Sequence, residues 1–287
     1  MLRFKQLRRQ AEALAAPYPA LLAEAERVAA VVAQGDHGRR RAGTGETFRQ
    51  YRNYDTSDQA QSIDWRRSAR GDQVYVRETE WEAANTVYFW RDGSAGMEWS
   101  SSEALPHKRD RASVICMALA SLLMRAGERC AVVGESERAR TGKVGLQRVS
   151  RTLANASGET RSLQAKLPKH ARMVIASDFL EGAEVWSGRL SRLAGTPVTG
   201  VLVHVVDPAE RDFPYTGRVE MRLRGLEPFL LGRAEKAAED YRAKFAAHCA
   251  AIEDVGRRLG WPVVRHETDK AATLALTQCY QILSGAR

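Results

Sequence analysis

With 287 residues, the chain is long enough for one large α/β domain with additions or for two small domains. Its 44% hydrophobic and 28% charged residues exclude disorder as a description of the whole. The net charge of +9 raises nucleic acid as a partner, but the excess is dispersed. Arg39-Arg40-Arg41 is the one dense basic run, and from Val31 to Glu80 acids nearly match bases, which points to a soluble surface and acidic partners. The opening Met1-Leu2-Arg3-Phe4-Lys5-Gln6 carries charge with no apolar run behind it, so no secretion signal is expected. The apolar stretch Ala112 to Met124 is shorter than the roughly 20 residues a bilayer needs.

In chain order, Tyr18 to Gln34 sets Leu21, Leu22, Ala25, Val28, Ala29 and Val32 on one helical face, closed by Gly35. Gly35 to Gly45 reads as a loop. Thr47 to Glu82 mixes aromatics with charge, and only Gln73 to Arg77 alternates like a strand. From Asn85 the texture becomes regular. Thr86 to Trp90 predicts a strand, His107 to Ala126 a helix and Cys130 to Val133 a strand. Leu146 to Asn155 follows as a helix, Met173 to Ala176 as a strand, Glu184 to Leu193 as a helix and Val198 to Val206 as a strand. Val219, Met221 and Leu223 alternate, which suggests an added edge strand or hairpin. Ala234 to Leu259 predicts a long helix, Trp261 to Val264 is a short apolar run, and Asp269 caps a last helix through Ile282.

Short apolar strands alternating with helices predict an α/β fold, a mostly parallel sheet covered on both faces. The change near Asn85 divides the chain into an extension over 1–84 and a regular domain over 85–287. Cys116, Cys130, Cys249 and Cys279 form no CxxC pair and fit small buried residues of a reducing, cytoplasmic compartment. Gly38 to Thr44 has the glycine spacing of a phosphate loop, but Thr44 stands where its lysine belongs. The histidines have no metal-ligand spacing, and His204 lies inside a strand pattern as a core or edge residue.

The motif that carries chemistry is Val87-Tyr88-Phe89-Trp90-Arg91-Asp92-Gly93-Ser94-Ala95-Gly96. An apolar strand runs straight into Asp-x-Ser, at the sheet edge where open α/β folds place their sites. Val174-Ile175-Ala176-Ser177-Asp178 is a second strand ending in an acid. Oxygen donors from Asp92, Ser94 and Asp178 suit a hard cation such as Mg2+. The plainer reading is that Asp92, Ser94 and Asp178 cap the turns that follow them.

Asp92-Gly93-Ser94-Ala95-Gly96 after a strand, with a later Thr and a later strand-end Asp, resembles the Asp-x-Ser-x-Ser metal-ion-dependent adhesion site of von Willebrand factor type A domains. Gly96 stands where that pattern has Ser, so a serine restored at 96 is expected to tighten metal binding. The resemblance makes Asp92, Ser94 and Asp178 metal ligands and Thr160, in Gly158-Glu159-Thr160, a weaker fourth. A second resemblance is more specific. Gly43-Thr44-Gly45-Glu46-Thr47-Phe48-Arg49-Gln50-Tyr51-Arg52-Asn53-Tyr54, then Ile63-Asp64-Trp65-Arg66-Arg67-Ser68-Ala69-Arg70 and Val74-Tyr75-Val76-Arg77-Glu78, resembles the signature of the bacterial domain-of-unknown-function family number fifty-eight. Asp207-Pro208, Glu210, Pro214 and Tyr241 fit its downstream pattern.

That family places the signature before a von Willebrand A-like domain and is often encoded beside MoxR-type AAA+ ATPases. The resemblance therefore implies a non-enzymatic binding module that partners such an ATPase or its client. Asp64, Trp65, Arg66 and Arg70 are candidate partner-binding residues, since Trp and Arg anchor interfaces. Alternatively Trp65 plugs a core while Asp64 and Arg70 pair locally. Two functional readings stay open beside a Mg2+-assisted module. One is a metal-independent scaffold binding through residues 48–70, and the other a Mg2+-dependent phosphoesterase.

Overall fold

The structure, a computed structural model, describes residues 27, 47–55, 63–69, 71, 73–80, 86–134, 138–155, 163, 167–194, 198–222 and 227–284. Of the helix expected over Tyr18 to Gln34 only Arg27 falls among these, and it is helical. Thr160 and Arg70 lie outside them. The chain divides into two compact units, one of Gly38–Ala84 and one containing Asn85–Arg287.

The smaller unit carries strand β1 (Thr47–Asn53), the single turn of helix α1 (Trp65–Ser68) and strand β2 (Tyr75–Glu80). The strands pair antiparallel, from Thr47 opposite Glu80 to Asn53 opposite Tyr75. An irregularity between Phe48 and Gln50 shifts the register. That is why β1 escapes a periodicity reading: one extra residue breaks the alternation a strand otherwise writes. Helix α1 is tied to β2, because Ser68 Oγ accepts from Tyr75 N at 2.9 Å and donates to Asp64 O at 2.8 Å.

The larger unit is built on five parallel strands: β3 (Thr86–Arg91), β4 (Arg129–Val132), β5 (Arg172–Ser177), β6 (Thr199–Val206) and, at the far edge, β9 (Val263–Glu267). Their order is β4-β3-β5-β6-β9. Between them run helices α2 (Lys108–Arg125), α3 (Gly142–Asn155), α4 (Ala183–Ala194), α5 (Pro208–Asp212) and α6 (Ala234–Leu259), and helix α7 (Ala272–Ser284) closes the described chain. Side chains alternate between two cores. Val87, Phe89, Val174, Ala176, Val201, Val203 and Val205 pack with α2, α3 and α7. Trp90, Met173, Ile175 and Leu202 pack with Trp186 and Leu190 of α4 and Ile252 and Val255 of α6. This is the doubly wound α/β architecture that the alternation of elements predicts, as the resemblance to von Willebrand A domains also implied.

Helix α2 is buried over nearly all of its circumference, from Ala112 to Met124. A helix apolar all round belongs inside a protein. Among the described residues no helix is long and apolar enough to cross a membrane. The four cysteines are buried and unpaired. The alternation at Val219 to Leu223 becomes strand β7 (Val219–Met221), which pairs antiparallel with β8 (Phe229–Leu231). This hairpin is a separate two-stranded sheet and adds no edge to the main one.

Candidate functional site at the strand ends

The chain leaves β3 for β4 on one side and returns with β5 on the other. The carboxyl ends of β3 and β5 therefore flank the switch point, where open α/β sheets leave a crevice. Parallel pairing sets Arg91 beside Ala176. Asp92 N continues the ladder by donating to Ala176 O at 2.8 Å. That register brings Asp92 against Ser177, the residue before Asp178.

Both acids are almost wholly enclosed, Asp92 at 2% exposure and Asp178 at 3%. Asp92 Oδ1 accepts from the backbone N–H of Ser94 at 2.8 Å, and its Oδ2 accepts from Ser177 Oγ at 2.6 Å. Ser177 Oγ in turn accepts from Phe179 N at 2.9 Å. Asp178 Oδ1 accepts from Leu180 N at 3.2 Å, and its Oδ2 accepts from Lys108 Nζ at 3.0 Å. Each carboxylate thus spends one oxygen closing its own turn, as the capping reading expects, and the other on a side chain. Ser94 precedes a 3-10 turn over Ala95–Glu98, and its hydroxyl makes no capping bond there.

Lys108, the first residue of α2, is 0% exposed. Its ammonium also donates to Glu210 Oε1 at 2.5 Å and lies 5.9 Å from the centre of the Trp99 ring. Glu210 belongs to a capping box: its Oε2 accepts from Asp207 N at 2.9 Å, while Asp207 Oδ1 accepts from Ala209 N at 2.9 Å. Asp207 Oδ2 accepts from Ser101 N at 3.0 Å. One cation therefore joins the start of α2, the end of β5 and α5. Burial alone would lower the lysine, but Asp178 and Glu210 more than offset it and hold its ammonium above the ordinary lysine range. Burial pushes the Glu210 carboxyl up, against the pull of that ammonium.

Beneath the site His204 is a core residue at 1% exposure. Its ring meets Phe179 at 5.5 Å and His248 at 6.1 Å, both edge to face. Burial, then His248, Arg265 and Lys108, push it down to about 3, so it is neutral at physiological pH.

The structure brings Asp92, Ser94 and Asp178 to one edge, but the donors do not fit a divalent ion. Asp178 is already paired with Lys108, whose ammonium it shares with Glu210, and Asp92 is hydrogen-bonded by Ser177 and Ser94. Among the described residues no three His, Cys, Asp or Glu side chains are grouped as metal ligands. Gly96 supplies the packing reason for the missing hydroxyl. A Cβ there would lie 2.6 Å from Asp178 Oδ2 and 3.6 Å from Leu180 Cδ1. A serine at 96 would therefore have to move the Asp178 carboxylate from its present place against Lys108.

Lys108 and Ser177 are the residues the sequence reading missed. Ser177 stood beside an identified acid. Lys108 stands in a charged first turn with Arg109, Asp110 and Arg111, and its two partners are 70 and 102 residues away.

In the smaller unit Asp64 caps α1, accepting from Arg67 N at 3.0 Å. Trp65 is 65% exposed, which corrects the core-plug alternative. Arg66 is exposed beside it, and the Arg67 guanidinium lies 5.2 Å from the centre of the Tyr75 ring.

Residues 50–254 match the model of a family described as "Protein of unknown function DUF58". No curated protein matches the chain. Among solved structures, the conserved hypothetical protein BatB from Bacteroides thetaiotaomicron is 13% identical with a TM-score of 0.39, covering 71% of this chain and 100% of its own. An aerotolerance-related membrane protein from Bacteroides fragilis is 12% identical with a TM-score of 0.38, covering 70% of this chain and 100% of its own.

Proposed function

We propose that this chain, which belongs to the DUF58 family of proteins of unknown function, is a non-enzymatic protein-binding module that docks through its family-signature segment. The observation that carries this reading is Trp65, 65% exposed on a turn that Asp64 caps, with exposed Arg66 next to it. A large aromatic held out on a capped turn costs solvation and gains it back in a complex, and Trp and Arg are the side chains that most often dominate interfaces. The resemblance to a family encoded beside MoxR-type AAA+ ATPases supports such an ATPase, in the cytoplasm, as the partner. A phosphoesterase is disfavoured because both strand-end carboxylates are engaged by protein donors and neither is held ready as base or nucleophile.

Co-purification of the full chain with a MoxR-type AAA+ ATPase of the same organism tests the reading. Wild type is expected to retain the ATPase, and Trp65→Ala to lose it with an unchanged melting temperature. Retention by Trp65→Ala at wild-type level would sink the proposal. A second reading, docking at the strand-end edge, draws on Leu180, which is 52% exposed and neighbours Gly96. Loss of the ATPase by Leu180→Asp, with Trp65→Ala still bound, would favour that edge instead.

A further inference from the structure

We propose that Lys108 is the resident cation of the strand-end site, a tethered ammonium that takes the place of a divalent ion and makes this edge of the sheet permanently metal-independent. The inference concerns the site's own chemistry and stands whichever protein the chain binds.

Buried carboxylates need a counter-charge, because a bare charge out of water is heavily penalised. At an edge where two strands deliver Asp92 and Asp178, a metal ion is one answer. Here the counter-charge comes from the chain. The Lys108 ammonium gives two hydrogen bonds, to Asp178 Oδ2 at 3.0 Å and to Glu210 Oε1 at 2.5 Å, and its charge lies 5.9 Å from the centre of the Trp99 ring. A lysine stem anchored at the first turn of α2 brings its charge at no cost in concentration. A magnesium ion must shed tightly held water to reach the same carboxylates, and must meet the ammonium's repulsion as well.

The neighbouring side chains agree with this assignment. Asp178 Oδ2 comes so close to Gly96 that a Cβ there would sit at 2.6 Å, so the carboxylate lies toward Lys108 and over the glycine. Asp92 turns its second oxygen to Ser177, at 2.6 Å, which leaves it a structural acceptor. Glu210 is steadied from behind by the Asp207 N–H at 2.9 Å. Each carboxylate oxygen of Asp92, Asp178 and Glu210 therefore has a protein donor, and the lysine supplies a positive charge.

The experiment has two arms. In the first, the wild-type chain is titrated calorimetrically with Mn2+ and with Mg2+, and its melting temperature is read with millimolar metal and with chelator. The proposal expects no site heat and no shift. Metal binding by wild type that Asp92→Ala or Asp178→Ala abolishes would overturn it. In the second, Lys108→Ala removes the ammonium and leaves its two carboxylates facing an opened space. This variant is expected to melt lower than wild type and to regain several degrees with Mn2+, by binding linkage. That gain should vanish in Lys108→Ala/Asp178→Asn. A folded Lys108→Ala protein that ignores Mn2+ would overturn the stand-in role. Lys108→Met, which keeps the apolar stem, is the second variant should the alanine protein not fold. Should neither fold, the wild-type titration decides alone.

Discussion

Adding one side-chain carbon at Gly96 should loosen the whole strand-end network. The new Cβ would lie 2.6 Å from Asp178 Oδ2, well inside the 3.4 Å at which ordinary contact begins. A carboxylate oxygen usually yields easily, but this one is held: Lys108 pulls on Oδ2 at 3.0 Å and Leu180 N on Oδ1 at 3.2 Å. Relief by turning Asp178 gives up a charge-assisted hydrogen bond inside the protein, worth about 1.5–3 kcal/mol. Relief by shifting the 3-10 turn instead costs the usual 1–3 kcal/mol, roughly, of an overpacked site. Either route puts Gly96→Ser about 2 kcal/mol below wild type. Urea unfolding followed by tryptophan fluorescence would show this as a lower midpoint at constant slope. Gly96→Ala should behave the same, since the clash belongs to Cβ. In an Asp178→Ala background the cost should fall to a few tenths of a kcal/mol, as a double-mutant cycle requires of coupled neighbours. A Gly96→Ser protein as stable as wild type, or one that Mg2+ stabilises while Gly96→Ala is not, would refute the reasoning.

Ser177→Ala removes the hydroxyl that donates to Asp92 Oδ2 at 2.6 Å and should cost about 1–3 kcal/mol in the same assay, because Asp92 stays buried. Gly200→Ala should be worse, about 3 kcal/mol. Its Cβ would meet Met173 O at 2.4 Å and the Trp261 ring at 2.6 Å, and a backbone carbonyl inside a parallel sheet has little freedom to retreat. Stability should also fall in acid. Burial first, then Arg111, lowers His266 from 6.5 to about 4. Between those pH values the unfolded chain takes a proton that the folded chain refuses. Stability is therefore full above about pH 6.5 and falls by about 1.4 kcal/mol per pH unit as pH drops toward 4. His204, lowered to about 3, adds a like slope. His266→Gln should remove roughly half of the combined slope, and an unchanged slope would show that His266 does not titrate this way.

How far the fold can be read from the residues depends on where each element's partners lie. Strands β3, β5 and β6 and helices α2, α4 and α6 were legible because they are buried on a fixed period, with Val and Ile in the strands and a sustained apolar face in the helices. The hairpin β7–β8 showed its alternation but not its sheet, since pairing partners are not written in one strand's sequence. Strand β1 was lost to its own irregularity. At the site the two acids were legible as strand ends. Their partners were not, because contacts 70 and 102 residues apart leave no local pattern.

The departure at Gly96 and the presence of Lys108 are best understood as one arrangement. Asp178 meets the lysine while lying over residue 96, where a Cβ would come within 2.6 Å of its Oδ2. A serine would return a hydroxyl to the edge while displacing the carboxylate from its cation. A divalent ion with its donors, or a tethered ammonium with a glycine, can each satisfy the buried acids. The two solutions compete for the space at position 96, and the glycine there leaves that space to the Asp178 carboxylate.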